Sequence, residues 1–406
     1  MRNFFKNLGP GILVSAAFIG PGTVTVCSLA GVNFGYSLLW ALLISIFACI
    51  VLQEMSARLG LISGKGLSDC IREEMKHPVI RVFTLFLIFS AIVIGNAAYE
   101  AGNISGAVLG MEAVFTSMSY NLGAFSINLW SLLIGGIAFF LLFLGSYKKL
   151  EKIFIALVLL MSVAFILTAF LTKPDITEIF KGFIPGSFDA GLLTIIALVG
   201  TTVVPYNLFL HASLVSEKWN GPKYLGAVRK ELVFSIVLGG LVSMAIVICA
   251  AASNITNIES AGDLAVGLEP LFGNSATVFL AIGLLAAGIT SSITAPLAAA
   301  YVVKGCMGWK GGMQSTKFKM VWMGIIILGV FFSSLGIKPV EIIQFAQIAN
   351  GLVLPIIAIF LFWIVNQHAV LGEYKNNILQ NIIGFIVIAL AVFLGAKSIF
   401  SVIQNI

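Results

Sequence analysis

Charge is what this chain has least of. Of 406 residues only 10% are Asp, Glu, Lys or Arg, against 59% hydrophobic. A soluble domain carries about 25% charged residues, so this chain cannot coat a water-facing surface of its size. The same figures exclude disorder and collagen. Cysteine is sparse: Cys27, Cys49, Cys70, Cys249 and Cys306 form no C-x-x-C pair. They read as small apolar side chains rather than disulfides or a zinc site. No H-E-x-x-H, phosphate loop or nucleophile–base pair is present, so neither catalysis nor a cofactor is expected. The net charge of +6 reports loop orientation, not nucleic-acid binding.

What the chain does have is long apolar runs. A membrane-crossing helix needs about 20 such residues, and a barrel strand roughly 10 of alternating polarity. Alternation is scarce here, so the expectation is an all-α integral membrane protein with the lipid bilayer as its surroundings. Eleven spans are expected near 9–32, 37–59, 80–107, 126–146, 150–172, 187–213, 230–252, 275–303, 319–335, 340–365 and 378–402. Met1 to Asn7 is short and basic and no small-residue cleavage site follows, so no signal peptide is expected. With the N-terminus cytoplasmic and the C-terminus outside the cell membrane, 19 of the 23 Lys and Arg fall on the inner side, as the positive-inside rule requires. A miscount of one span would scramble that asymmetry.

Two spans carry interruptions. Gly20-Pro21-Gly22 breaks the first, and Val204-Pro205-Tyr206-Asn207 the sixth. Proline removes a backbone donor and clashes with the preceding turn; flanking glycines weaken the helix further. A simple kink would account for either site alone. Together they occupy equivalent positions in two five-span halves. An odd number of spans per half forces the second half to be inverted. The expectation is one transporter domain over 1–406, with repeats of about 9–172 and 187–365 and an extra helix near 378–402. In such folds broken helices meet at a midplane substrate site.

The strings Gly9-Pro10-Gly11, Gly20-Pro21-Gly22-Thr23, Phe34-Gly35-Tyr36-Ser37-Leu38-Leu39-Trp40 and Ser56-Ala57-Arg58-Leu59-Gly60 resemble the start of an Nramp (natural resistance-associated macrophage protein) transporter. Val203 to His211 resembles that family's sixth helix. The resemblance implies a leucine-transporter-like fold and import of divalent metal ions, usually driven by protons. It also implies departures. The family's Asp-Pro-Gly-Asn reads Gly20-Pro21-Gly22-Thr23 here. Val204 stands where the family has a methionine, and Tyr206 replaces the first of two histidines. His211 matches the second, Glu100 and Asn103 stand for an acidic pair, and Gln347 matches a tenth-helix glutamine. The site thus loses a carboxylate and a soft sulfur. Oxygen donors favour Mg²⁺ or Ca²⁺ over transition metals, so the chain is similar to the Nramp-related magnesium transporters.

Ionisable residues inside a membrane suggest function by default. Glu100 shares a helix face with Asn96 and Asn103, and Gly102 and Gly106 permit a close helix approach. It could balance a dication or carry a proton, or be a hydrogen-bonded structural carboxyl. Glu54 could serve a proton path or simply pair with Arg58 at i, i+4. Thr290, Ser291, Ser292 and Thr294 read as packing groups. The expected substrate site lies between Gly20 to Thr23 and Thr201 to Asn207. Carbonyls of Gly20 and Thr201, the Thr23 hydroxyl and the Asn207 amide are the expected metal ligands. Val204, Tyr206 and Gln347 line the pocket, and Glu100, Asn103, His211 and Glu54 supply charge compensation or a proton route. Mg²⁺ or Mn²⁺ would pass by alternating access with weak or absent proton coupling. The rival readings are a same-fold transporter of a small anion or zwitterion and a sensor that no longer transports. The oligomeric state stays open.

Overall fold

The computed structural model describes residues 19–122, 125–145, 148–186, 191–219 and 221–404. The Gly9-Pro10-Gly11 string and the part of the first span from 9 to 18 lie outside them. Among the described residues, nine helices are long and apolar enough to cross a membrane, and Leu129–Leu144 is a shorter apolar one. The chain is a multi-pass membrane protein.

Every expected span has a helical counterpart. In chain order they are α1 (Pro21–Phe34), α2 (Leu39–Ser63), the short surface helix α3 (Leu67–Glu74), α4 (Pro78–Glu112), α5 (Leu129–Leu144) and α6 (Lys148–Leu171). The sixth span is two helices, α7 (Leu192–Thr202) and α8 (Pro205–Lys218). Then follow α9 (Leu225–Ala251), α10 (Ala276–Met307), α11 (Thr316–Ser333), α12 (Pro339–Val365) and α13 (Ile378–Gln404). Within this helical architecture one short hairpin intervenes. Strands β1 (Ser119–Leu122) and β2 (Phe125–Asn128) pair antiparallel before α5. The fourth span therefore begins at Leu129, where the Asn128 side chain accepts the Trp130 N–H at 2.9 Å and caps the helix.

Helix α4 is the hub, packed against α10, α11 and α12. Helix α1 lies on α9, α7 on α12, and α8 on α2. Such close approach needs small residues. A Cβ on Gly106 of α4 would collide with the Pro21 ring, so the first break is seated in a notch that only glycine leaves open. Gly102, one turn earlier, faces Ala346 of α12. The expected G-x-x-x-G contact therefore admits two helices at once.

Buried apolar side chains form two clusters. One holds Val24, Leu198 and Ile343, the other Val203, Ile104 and Leu354. Helices α7 and α12 pass from one cluster to the other, so Thr201 and Gln347 lie at the junction, where polar side chains replace the apolar fill.

Candidate functional site

Proline chemistry sets both the break at Pro205 and the start of α1 at Pro21. Pro205 has no N–H, so the carbonyl of Thr201, four residues earlier, loses its helical donor. Val203 (φ −111°, ψ 75°) and Val204 (φ −73°, ψ 119°) leave helical geometry, and α8 starts afresh at Pro205. Helix α1 starts at Pro21 after an extended Gly20 (φ −95°, ψ 178°). Neither α1 nor α8 has a side-chain cap at its N-terminus, so two positive helix ends meet the breaks uncapped.

Thr23 Oγ1 lies 2.9 Å from Thr201 Oγ1, and both residues are buried. The neighbouring Thr202 hydroxyl turns back to the Leu198 carbonyl at 2.8 Å, as threonine often does within a helix. Thr201 points the other way, across the gap. Helix α12 closes a third side. The Gln347 backbone presses on Gly200, and its side chain lies against Gly22, whose missing Cβ makes room for the amide. Asn350 Nδ2 donates to Gln347 Oε1 at 3.5 Å. The structure therefore brings Gly22, Thr23, Thr201 and Gln347 together.

Asn207 stands in the first turn of α8, fully buried, and neither its Oδ1 nor its Nδ2 has a partner among the described residues. An unpaired buried amide is costly, which makes Asn207 a candidate site residue. Val204 and Tyr206 are also fully buried. The Tyr206 ring meets Tyr99 of α4 edge-on, with centroids 5.2 Å apart. The Gly20 carbonyl accepts from the N–H groups of Thr23 (3.1 Å) and Val24 (3.3 Å) at the start of α1.

The other expected residues lie in separate surroundings. Glu100 is fully buried on the α10–α11 side of α4 and packs against Gly329. Asn103 Nδ2 donates to Glu100 Oε2 at 3.4 Å, while Oε1 has no hydrogen-bond partner among the described residues. The Ser292 hydroxyl lies close enough to interact with the same carboxyl. Asn96 Nδ2 donates to the Ala295 carbonyl at 2.8 Å. His211 Nδ1 sits 2.8 Å from Gln53 Oε1. With the Gln53 oxygen turned to the ring, Nδ1 is the donor, because an amide oxygen only accepts. Glu54 is claimed by arginines. Arg58 Nε lies 3.1 Å and Arg229 Nη2 2.6 Å from its Oε1. The i, i+4 pairing with Arg58 is what the structure contains, extended by a second guanidinium from α9.

Sequence reasoning did not find Tyr99, Gln53 as the histidine's partner, or Arg229. Each reaches its partner from a distant helix, and no local spacing signals such a meeting.

A family described as natural resistance-associated macrophage protein-like matches residues 11–401. A divalent metal cation transporter, MntH, of Staphylococcus saprophyticus is 28% identical over all of this chain and 93% of its own length. A manganese transporter of Eremococcus coleocola superposes with a TM-score of 0.78 at 20% identity, covering 99% of this chain and 88% of that one. The fold is shared with MhsT, solved with L-phenylalanine, at a TM-score of 0.63 and 15% identity over 96% of this chain and 98% of that one.

Proposed function

The chain belongs to the Nramp family, and from that premise we propose that it carries a divalent metal cation across the cell membrane by alternating access. Relatives named as divalent metal cation transporters support the class of cargo. The observation that carries the reading for this chain is the meeting of Thr23 and Thr201 across the two breaks. Around that pair stand the Thr201 carbonyl, which lacks a helical donor at Pro205, the Gln347 amide and, in the first turn of α8, the Asn207 amide, which has no partner among the described residues. All are neutral oxygen-bearing groups. Mg²⁺ takes oxygen ligands and keeps several waters, so a hydrated Mg²⁺ or Mn²⁺ is the cargo proposed. Gly20 supplies backbone freedom at the break rather than a ligand. Val204 and Tyr206 wall the pocket, and Glu100 with Asn103 offsets the dication's charge from the α10–α11 side. His211 keeps a bare Nε2 that could take a proton, while Glu54 has a structural part.

The proposed topology is two inverted repeats, about 9–172 and 187–365, with the N-terminus cytoplasmic and the C-terminus outside. The 19-to-4 division of Lys and Arg supports it. In proteoliposomes, Mg²⁺ or Mn²⁺ should enter down its gradient without an imposed proton gradient, and Thr23→Ala should slow entry. If neither ion enters nor competes with the other, the metal reading fails.

One observation favours a second reading. The uncapped N-termini of α1 and α8 both meet the breaks, and such ends attract anions. A small anion or a zwitterion's carboxylate would then be the cargo. Thermal-shift screening of metals against small anions and amino acids separates the two.

A further inference from the structure

Helix α9 carries Arg229 and Lys230 in its second turn, and the face that follows them is apolar and partly exposed. Val233, Phe234, Val237, Leu238 and Leu241 are each between 37% and 56% exposed. Together with the two basic residues they line one continuous groove. Their spacing puts them on a single stripe of the helix. From Arg229 to Leu241 the helix rises about 18 Å at ~1.5 Å per residue. One leaflet of hydrocarbon is roughly half of ~30 Å. With the basic pair at the headgroup level, the stripe therefore reaches from the interface to about the middle of the bilayer.

The two cations have donors to spare. Arg229 gives Nε and Nη2 to Glu54 Oε1, at 2.9 and 2.6 Å, and its Nη1 bonds no described residue. Its side chain is 43% exposed, and Lys230 is exposed. Lys223, over the Tyr224 ring at 5.0 Å, adds positive potential near the same end of the helix. Glu54 takes one edge of the guanidinium, while the Arg229 side chain stays 43% exposed and Lys230 is exposed. A zwitterionic lipid would cover the stripe equally well but would bring its own cation to this pair.

We propose that this groove binds an anionic phospholipid. Its phosphate sits between Arg229 Nη1 and Lys230 Nζ, and one acyl chain lies along Val233 to Leu241. The site is separate from the Thr23–Thr201 gap and stands or falls without it.

The test is lipid retention by the full-length protein, measured by native mass spectrometry after equal exposure to phosphatidylglycerol and phosphatidylcholine of the same chain length. Wild type should retain phosphatidylglycerol preferentially. Lys230→Gln should weaken that retention about fivefold, the effect of one basic residue near a headgroup, and Lys230→Arg should preserve it. Glycerol phosphate, which lacks chains, should not displace the bound lipid. Equal retention of the two lipids, undiminished phosphatidylglycerol on a Lys230→Gln and Arg229→Gln double variant, or displacement by glycerol phosphate would each overturn the proposal. Lys230 is exposed, so its variants fold as wild type does, and circular dichroism verifies that.

Discussion

Thr23 and Thr201 share a hydrogen bond of 2.9 Å although 178 residues separate them in the chain. The bond ties the first turn of α1 to the last turn of α7, and so joins the two breaks. One hydroxyl donates and the other accepts. Removing either side chain breaks that buried bond, at a cost of about 1–3 kcal/mol. Thr23→Ala and Thr201→Ala are each expected to slow metal entry by roughly five- to a hundredfold. The double variant should lose less than the sum, because each single change already breaks the same bond. Influx into proteoliposomes for the four proteins closes this cycle, and fully additive losses would mean that the hydroxyls act separately.

Gly22 tests the third wall. A Cβ built there lies 2.6 Å from Gln347 Cδ and 3.2 Å from Cγ, so alanine must push the amide out of the gap. Gln347 is flexible at its end, and the fold should survive. The expected result is that Gly22→Ala and Gln347→Ala impair transport to a similar degree. The double variant should be no worse than either, since alanine at 347 leaves room for the new methyl group. A melting temperature near that of wild type with reduced flux is the diagnostic pair. Unchanged flux in Gln347→Ala would remove that residue from the site.

How far the sequence foretold this arrangement depends on the range of the signal. Span positions, the break at Pro205 and the start of α1 at Pro21 follow from run length and proline chemistry, both local. The strands from Ser119 to Asn128 were not foreseen, because a four-residue alternation beside a long apolar run is too weak to separate from a helix start. The direction of the Gly20 carbonyl was not legible either. Whether a carbonyl beside a break faces the gap or begins the next helix is set by ψ, and ψ is not written in residue type. The pairings of His211 with Gln53 and Glu54 with Arg229 depend on how helices pack. The i, i+4 bridge from Glu54 to Arg58 could be read directly.

Glu100 offers a test that separates charge from packing. The side chain is fully buried and sits against Gly329, so glutamine fills the same space. If the carboxyl balances a dication at a distance, Glu100→Gln should fold normally and slow influx on the order of tenfold, about 1.4 kcal/mol. Glu100→Ala should slow influx to the same degree and also unfold at lower temperature, since it leaves a cavity. Full activity in the glutamine variant would assign Glu100 to the structure alone.

The arginines around Glu54 predict a contrast in stability. Arg58 and Arg229 touch the same carboxylate, but the first side chain is 2% exposed and the second 43%. Arg58 also donates to the Tyr374 carbonyl and to Asn376 Oδ1, so it ties α2 to the segment that follows α12. Replacing Arg58 by Met leaves the buried Asn376 Oδ1 and the part-buried Tyr374 carbonyl without this donor. Breaking a buried pair from one side costs about 3–5 kcal/mol. Arg229→Met removes a half-exposed partner, for which about 0–1 kcal/mol is usual. The expected order of unfolding temperature in detergent is wild type close to Arg229→Met, with Arg58→Met far below. Glu54→Gln should resemble Arg58→Met more than Arg229→Met, because it leaves the buried guanidinium facing a neutral amide. Raising salt should weaken the Arg229 contribution and spare that of Arg58, since ions screen the half-exposed pair and do not reach the buried one. Equal losses for the two arginines would show that burial is not what sets their worth.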